Sequence, residues 1–432
     1  MRRRDFLKKA GRAAAGAGMG LLVLPQWARG APPSDQVVVG IVGVKNIGNS
    51  HIGWFLRHKD CRIDAICDVD SKIRSDKLKR VHKAYKNTAC KEYGDFRKVL
   101  ERKDIDVVTY GTPDHWHGLI ACHAFQAGKD VYGEKPMTWC YAEARAMLDL
   151  CTKHKRVFQL GCQRHANEAM RRSAELVKAG VLGKIHTIRC WNGCRAPVWN
   201  DPDSTPPPHV DYDMWLGPAP KKPFNIRRFH YHFRFFWDYS AGDYVNWWCH
   251  VNDLPQWAVG FTPPLKVTGR GEEIGKGIAD AMKFIDVDVD YKDFKYHWTT
   301  SRPRLEGVNT KGACCIFEGT KGTMAAGFGS RHIHIDGKEL SDIPDVPKTL
   351  PGSGNWQGEF LKAVKTRGTT SANIQYSYDM SVAMFLGRIA MQLGGKEGRT
   401  LTWDPQKHEC TGDPEATARL SRNMRKPWKL PV

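Results

Sequence analysis

The sequence predicts an α/β chain in two parts: a helix-wound parallel sheet, then an α+β domain built on a mostly antiparallel open sheet. Three observations carry that prediction. Apolar runs of strand length alternate with helical runs from 36 to 161. Past Lys184 the alternation stops and strand-like runs follow one another directly. Between them, Gly133-Glu134-Lys135-Pro136 ends a short strand, where an open parallel sheet presents its reactive groups.

The elements follow in order. Gln36 to Gly43 (QVVVGIVG) reads as a strand, Gly48 to His58 as a helix, and Ile63 to Asp68 as the next strand, which makes a βαβ unit. Helices near 72–85 and 95–102 come next. Ile105 to Tyr110 is a buried strand, turned by Gly111-Thr112-Pro113-Asp114-His115-Trp116-His117 into a helix ending near Gly128. The lysine strand Asp130–Glu134, a helix over 138–154 and a strand over 157–161 complete the first domain, 36–162. The second domain, 163–395, holds a strand over 185–191, a Pro-rich loop, an aromatic stretch and alternating runs at 265–269, 284–290, 294–299, 313–318 and 323–334. Helices near 356–366 and 377–393 pack back on it, and 396–432 reads as a tail.

The turn after the first strand is a damaged dinucleotide loop. Such a loop uses glycine for the tight turn, for close approach of a pyrophosphate and for helix-on-strand packing. Here Gly43-Val44-Lys45-Asn46-Ile47-Gly48 places Lys45 where the middle glycine belongs, so the candidate nucleotide contacts are Gly43, Lys45, Asn46, Ile47 and Gly48. Asp68 ends the second strand, where an acid hydrogen-bonds the adenosine ribose and repels a 2′-phosphate, which favours NAD over NADP. Thr112, Pro113, His117, Glu134 and Gln163 open onto the same crevice and join the cofactor set.

Chemistry is read from Lys135 and from a helix over 243–253. Asn246 and His250 are four residues apart and Asp253 three further, which predicts one face. A neutral imidazole takes the proton of a hydroxyl while hydride leaves its carbon, and a lysine ammonium steadies the oxygen. Lys135, His250 and Asn246 are therefore the catalytic candidates. Seven of the fifteen tryptophans lie between 191 and 257, around Phe229 to Tyr239, and aromatic faces beside polar groups suit a sugar ring. Arg164, Tyr231, Trp237 and Asp253 are the candidate substrate contacts. His230, His232, His250 and Asp253 do not follow a recognised zinc spacing, so no metal is expected.

Composition bounds the rest. Arg3-Arg4-Asp5-Phe6-Leu7-Lys8, an apolar run from Ala13 to Leu24 and Ala28-Arg29-Gly30-Ala31 read as a twin-arginine export leader over 1–30, which predicts a periplasmic or otherwise exported protein. The apolar run falls short of a bilayer core of about 30 Å, so stable membrane insertion is not expected. Without the leader the formal charge drops from +20 to +14. Residues 71–103 hold twelve Lys/Arg against four Asp/Glu, which reads as a solvated face or as attraction to an acidic partner such as a polysaccharide. Nothing points to nucleic acid. Thirteen cysteines, an odd count with no Cys-x-x-Cys, predict mostly free thiols, with Cys190 and Cys194 the first pair to examine.

Five segments together carry a family likeness: Thr112-Pro113-Asp114-His115-Trp116-His117, Gly133-Glu134-Lys135-Pro136, Gly161-x-Gln163-Arg164, Asp213-x-Trp215-Leu216-Gly217-Pro218-Ala219-Pro220, and Asn246-Trp247-x-x-His250-x-x-Asp253. The chain resembles the glucose-fructose oxidoreductase/inositol dehydrogenase/rhizopine catabolism (Gfo/Idh/MocA) family over nearly its whole length past the leader. The resemblance implies a Rossmann domain followed by an α/β domain whose open sheet often mediates dimers or tetramers, NAD(P), and sugar or cyclitol substrates. It maps the family's lysine onto Lys135 and its histidine onto His250, and it puts Asn246 where an acid is often found.

Three functions are weighed. The first is an oxidoreductase acting on a sugar or sugar derivative with a tightly held nucleotide, since an exported enzyme meets no periplasmic NAD pool. The second is an NAD-dependent glycosidase or epimerase that oxidises a ring hydroxyl transiently, eliminates, and restores the hydride. The third is a non-enzymatic carbohydrate-binding protein on a decayed nucleotide fold, for which Lys45 and Asn246 argue.

Overall fold

The computed structural model describes residues 36–431 apart from 196, 274 and 353. The proposed leader, 1–30, lies outside the described residues. The first domain runs β1 (Val37–Val42), α1 (Ile47–Phe55), β2 (Cys61–Cys67), α2 (Ser71–Tyr85), β3 (Lys91–Tyr93), α3 (Phe96–Leu100), β4 (Val107–Tyr110), α4 (His117–Gln126), β5 (Asp130–Glu134), α5 (Tyr141–Lys153) and β6 (Phe158–Gly161). Its six strands lie parallel in the order β3-β2-β1-β4-β5-β6. Every residue of β1 and β4 is buried, as expected of unbroken apolar strands with helices on both faces. The chain reverses its direction of growth between β1 and β4, and that point opens the ligand crevice at the strands' carboxyl ends.

The second part holds α6 (Glu168–Lys178), β7 (Ile185–Trp191), α7 (Tyr212–Leu216), α8 (Gly242–Val259), β8 (Lys266–Glu273), β9 (Met282–Asp290), β10 (Lys295–Thr299), β11 (Cys315–Gly319), β12 (Gly322–Ala326), β13 (Arg331–Ile335) and β14 (Lys338–Glu339). After these come α9 (Trp356–Thr366), α10 (Ile374–Gly394), β15 (Arg399–Asp404), β16 (Glu409–Cys410) and α11 (Pro414–Ala418). Ten strands form one sheet in the order β14-β13-β12-β11-β7-β10-β9-β8-β15-β16. All neighbours are antiparallel except β7 and β10. One apolar core runs through both sheets, from Val39 and Tyr132 to Trp248, Tyr296 and Leu386.

Several elements differ from the sequence reading. The run 323–334 is two strands, because Phe328-Gly329-Ser330 turns the chain between β12 and β13. The segment read as a tail adds β15 to the edge of β8. Past α11 the chain returns to the first domain, where Arg422 Nε donates to Glu143 Oε1 at 2.7 Å and Trp428 stacks on Phe96 at 6.3 Å. In α2, the basic helix, only Val81 is buried, so that charge lies on a solvated face. All thirteen cysteines are free. Cys194 Sγ donates to Met282 O at 3.3 Å, and Cys190 faces Cys315 across β7 and β11. Among the described residues no helix is long and apolar enough to cross a membrane.

Candidate functional site

A cavity of about 370 Å³ opens where β1, β2, β4 and β5 end and where the second domain folds over them. Its floor is the β1–α1 turn. Gly43 has φ +72°, a backbone that side chains rarely adopt, and a Cβ at Gly48 would stand 1.8 Å from Gly43 O. Gly43, Lys45, Asn46 and Ile47 line the cavity, whereas Gly48 is buried inside the turn and lets it close. Asp68 lines the cavity at the end of β2. Its carboxylate accepts from the backbone N–H of Val44 at 2.8 Å and of Asp70 at 3.0 Å. Burial raises its pKa against those bonds.

The β4 and β5 ends form the opposite wall. Thr112 and Pro113 line the cavity, and the buried Thr112 Oγ1 has no hydrogen-bond partner among the described residues. Glu134 Oε1 accepts from Gln163 Nε2 at 2.9 Å and lies 3.1 Å from His51 Nε2, so both residues of the cofactor set are fixed here. His117 does not reach the cavity. Its Nδ1 lies 2.7 Å from Pro136 O and its Nε2 3.0 Å from Thr112 O, which ties the two loops together behind the wall.

Lys135, Asn246 and His250 meet across the domain junction. Lys135 Nζ donates to Asn246 Oδ1 at 2.7 Å and to Asn246 O at 3.3 Å. Burial lowers the lysine's pKa, and Arg234 lowers it further. His250 lies one turn along α8 from Asn246 and makes no hydrogen bond among the described residues; its Nδ1 is buried without a partner. Burial, then Lys135 and Arg164, holds its pKa well below the ordinary value, so the imidazole is neutral at neutral pH. A neutral base beside an ammonium is the arrangement that removes a hydroxyl proton.

The substrate candidates divide. Tyr231 lines the cavity and is 42 % exposed. Arg164 stacks over Phe328 at 3.7 Å, outside the lining, although its charge reaches His250. Trp237 is half-buried against the core, outside the lining, and its carbonyl accepts from Trp139 Nε1 at 2.9 Å. Asp253 is fully buried and turned from the cavity. Its Oδ1 accepts from Tyr376 Oη at 2.7 Å and pairs with His165 Nδ1 at 2.8 Å. The helical spacing places Asp253 on the right face, but α8 plunges into the core after His250, and packing overrides the face. Among the described residues no group of three His, Cys, Asp or Glu side chains is disposed to hold a metal.

Two contributors escape the sequence reading. Arg234 lines the cavity, its Nε donating to Asn246 Oδ1 at 3.2 Å. Its signal was its place three residues after Tyr231 in the aromatic stretch, which a short 3-10 turn, His230–Phe235, converts into two side chains facing the same way. Asp114 also lines the cavity, and its Oδ2 accepts from Ser240 Oγ at 2.5 Å.

Comparison with known proteins agrees with this architecture. A model of an oxidoreductase family with an NAD-binding Rossmann fold matches residues 37–162, and the model of that family's C-terminal alpha/beta domain matches 186–430. The chain belongs to the Gfo/Idh/MocA oxidoreductase family. Among solved Gfo/Idh/MocA-like folds, the WlbA dehydrogenase from Chromobacterium violaceum, in complex with NADH and UDP-GlcNAcA, superposes with a TM-score of 0.62 at 16% identity, over 89% of this chain and 99% of that one. The aldose-aldose oxidoreductase from Caulobacter crescentus, complexed with glycerol, gives 0.60 at 17% identity, over 85% and 100%. A glycosyl hydrolase family 109 protein from Shewanella baltica is 28% identical over 205 residues, which are 42% of this chain and 44% of that protein. The match thus spans less than half of such curated relatives.

Proposed function

We propose that this Gfo/Idh/MocA protein is an NAD-dependent oxidoreductase acting on a sugar or sugar derivative, and that it keeps its nucleotide bound. The observation that carries the reading is the meeting of Lys135, Asn246 and the neutral His250 in the cavity that begins at the Gly43–Gly48 turn. The residues fit the nucleotide. Gly43 and Gly48 leave a close backbone approach free of side chains, and Thr112 Oγ1 is a buried polar atom awaiting a partner. Gly43 to Ile47 would hold the pyrophosphate, with Lys45 adding charge, and Asp68 the ribose, which favours NAD over NADP. A nicotinamide bound there would supply the hydride acceptor or donor for the carbon that bears the reacting hydroxyl.

The chain's own residues do the rest. His250 accepts the hydroxyl proton, and its low basicity matches a base that must be neutral to begin. Lys135 supplies positive charge to the oxygen as that proton leaves. Asn246 orients the lysine and cannot titrate, so no proton relay passes through position 246. Aromatic and apolar walls, Phe96, Trp116, Trp215 and Phe233 among them, keep water from the reaction.

The reading extends to export through the twin-arginine leader and to self-association through the open face of the ten-stranded sheet, where Phe284 is 58 % exposed. The likeness to glycosyl hydrolase family 109 favours a second reading, transient ring oxidation followed by elimination and release of an aglycone. The test is nucleotide content and product. Purified protein is expected to release NAD(H) stoichiometrically on denaturation; protein that carries none and ignores added NAD refutes both readings. Net nicotinamide reduction with a sugar panel then supports oxidoreduction, and aglycone release without it supports hydrolysis.

A further inference from the structure

Two cations share one neutral acceptor at the inner end of the cavity. Lys135 Nζ lies 2.7 Å and Arg234 Nε 3.2 Å from Asn246 Oδ1. Neither side chain joins an ion pair among the described residues. Arg234 is nonetheless fixed: its Nη1 donates to Tyr231 O at 2.7 Å, and its guanidinium lies over the rings of Tyr231 at 4.1 Å and Phe233 at 4.8 Å. A guanidinium anchored by one edge and two rings keeps its remaining N–H groups for a ligand.

The nearby carboxylates are turned to other partners. Glu134 is held by Gln163 and His51, Asp114 by Ser240, and Asp68 by the Val44 and Asp70 backbone. Asp243, one turn before Asn246 on α8, is taken in a two-point bond by Arg195. Position 246 itself, within reach of both cations, carries an amide and not an acid. The cavity is lined by Asp68, Asp114 and Glu134 as well, but each is bonded elsewhere and none pairs with Lys135 or Arg234 among the described residues, so the two cations keep their capacity for charge-assisted bonds to a ligand.

We propose that the substrate is an anionic sugar whose oxyanion group is held by Arg234, with Lys135 adding attraction. The proposal rests on the sugar-oxidoreductase reading of the same cavity. The planar carboxylate of a hexuronate matches the guanidinium fork, and a sugar sulfate offers the same charge in another geometry. An aspartate at 246 would fill the charge deficit from within and repel either one.

The test uses the full-length protein with its nucleotide bound, and hexuronates, the matching neutral hexoses and the matching hexose sulfates as probes. Calorimetric titration measures affinity, and nicotinamide absorbance measures turnover. One anionic series is expected to bind about tenfold or more tighter than its neutral counterparts, and the preference for uronate or sulfate names the group. Arg234→Gln should erase that preference, and Asn246→Asp should lower the ratio of anionic to neutral affinity about tenfold. Should Arg234→Gln fail to fold, Asn246→Asp, which preserves side-chain size, decides the matter alone. Equal or better binding of neutral sugars by the unaltered protein, no binding of any anionic sugar, or equal losses for both classes in the variants overturns the proposal. Oxidation of sugars without charge preference leaves the oxidoreductase reading standing, whereas absence of bound nucleotide and of all turnover removes that reading instead.

Discussion

Replacing Asp253 should cost stability before it costs chemistry. The carboxylate is fully buried, and its Oδ1 serves both Tyr376 Oη at 2.7 Å and His165 Nδ1 at 2.8 Å, while His165 stacks on Trp257 at 3.7 Å. Asp253→Ala leaves buried His165 Nδ1 without its partner and Tyr376 Oη with only the Asp253 backbone carbonyl, at 3.0 Å, so a loss of about 2–4 kcal/mol follows. In a chain of this length that lowers the thermal midpoint by roughly 2–5 °C. Asp253→Asn keeps one acceptor oxygen and should cost only about 1–2 kcal/mol. Thermal unfolding followed by near-ultraviolet circular dichroism, beside turnover measured well below the midpoint, separates the two roles. An Asp253→Ala protein that melts with the unaltered chain but has lost sugar affinity would refute the assignment of this carboxylate to the core.

Four further outcomes are expected. Lys135→Met should lower turnover by about 10²–10³-fold with nucleotide content intact, since it removes a charge aimed at the developing oxyanion; undiminished turnover removes the lysine from the mechanism. Because His250 works as the neutral form and its pKa is depressed, the acid limb of the pH–rate profile should fall below the ordinary histidine value of 6.5; a limb above that value contradicts the assignment. Burial raises the Asp280 carboxyl to about 6 from an ordinary 3.8, so the folded state binds its proton more tightly and loses stability as pH rises through that interval. Asp280 lies at the surface, where solvent screens much of that effect, so Asp280→Asn should stabilise by at most about 1 kcal/mol at pH values above 6 and change little near pH 4, read as thermal midpoints in matched buffers. Gly48→Ala, whose Cβ would meet Gly43 O, should leave a folded protein that releases no nucleotide on denaturation.

Local patterns made the first domain legible. The all-buried VVVGIV of β1, the Asp70 cap whose Oδ1 accepts from Lys72 and Ile73 N–H at 3.1 Å, and the lysine strand are each set by neighbours in sequence. In the site, Lys135, Asn246 and His250 were readable because helical spacing and a strand end fix where such side chains go. Asp253 and His117 were not, because their directions depend on their partners in the fold: Tyr376 and His165, and the paired carbonyls of Thr112 and Pro136. Helix α6 escaped notice since its apolar residues, Met170, Ala174 and Val177, are interrupted by Arg171 and Arg172, whose charges are met by Glu168 and Glu175 on the same helix. Strand β15 is defined by β8, more than a hundred residues away, and no local signal announces such a partner.

The carboxyl-terminal return bears on how the molecule is made. Trp428 meets Phe96 and the edge of Trp116 at 4.8 Å, and both of those rings line the cavity; Arg425 Nη1 meets Asp213 Oδ1 at 2.6 Å, and Gln126 Nε2 donates to Pro431 O at 3.0 Å. The wall of a pocket that begins at residue 43 is thus braced from behind by residues between 425 and 431. Synthesis of the Rossmann domain leaves that brace missing for some 270 residues of elongation, and a chain that stops before residue 425 never acquires it. Completion of the pocket wall therefore waits on translation past residue 425.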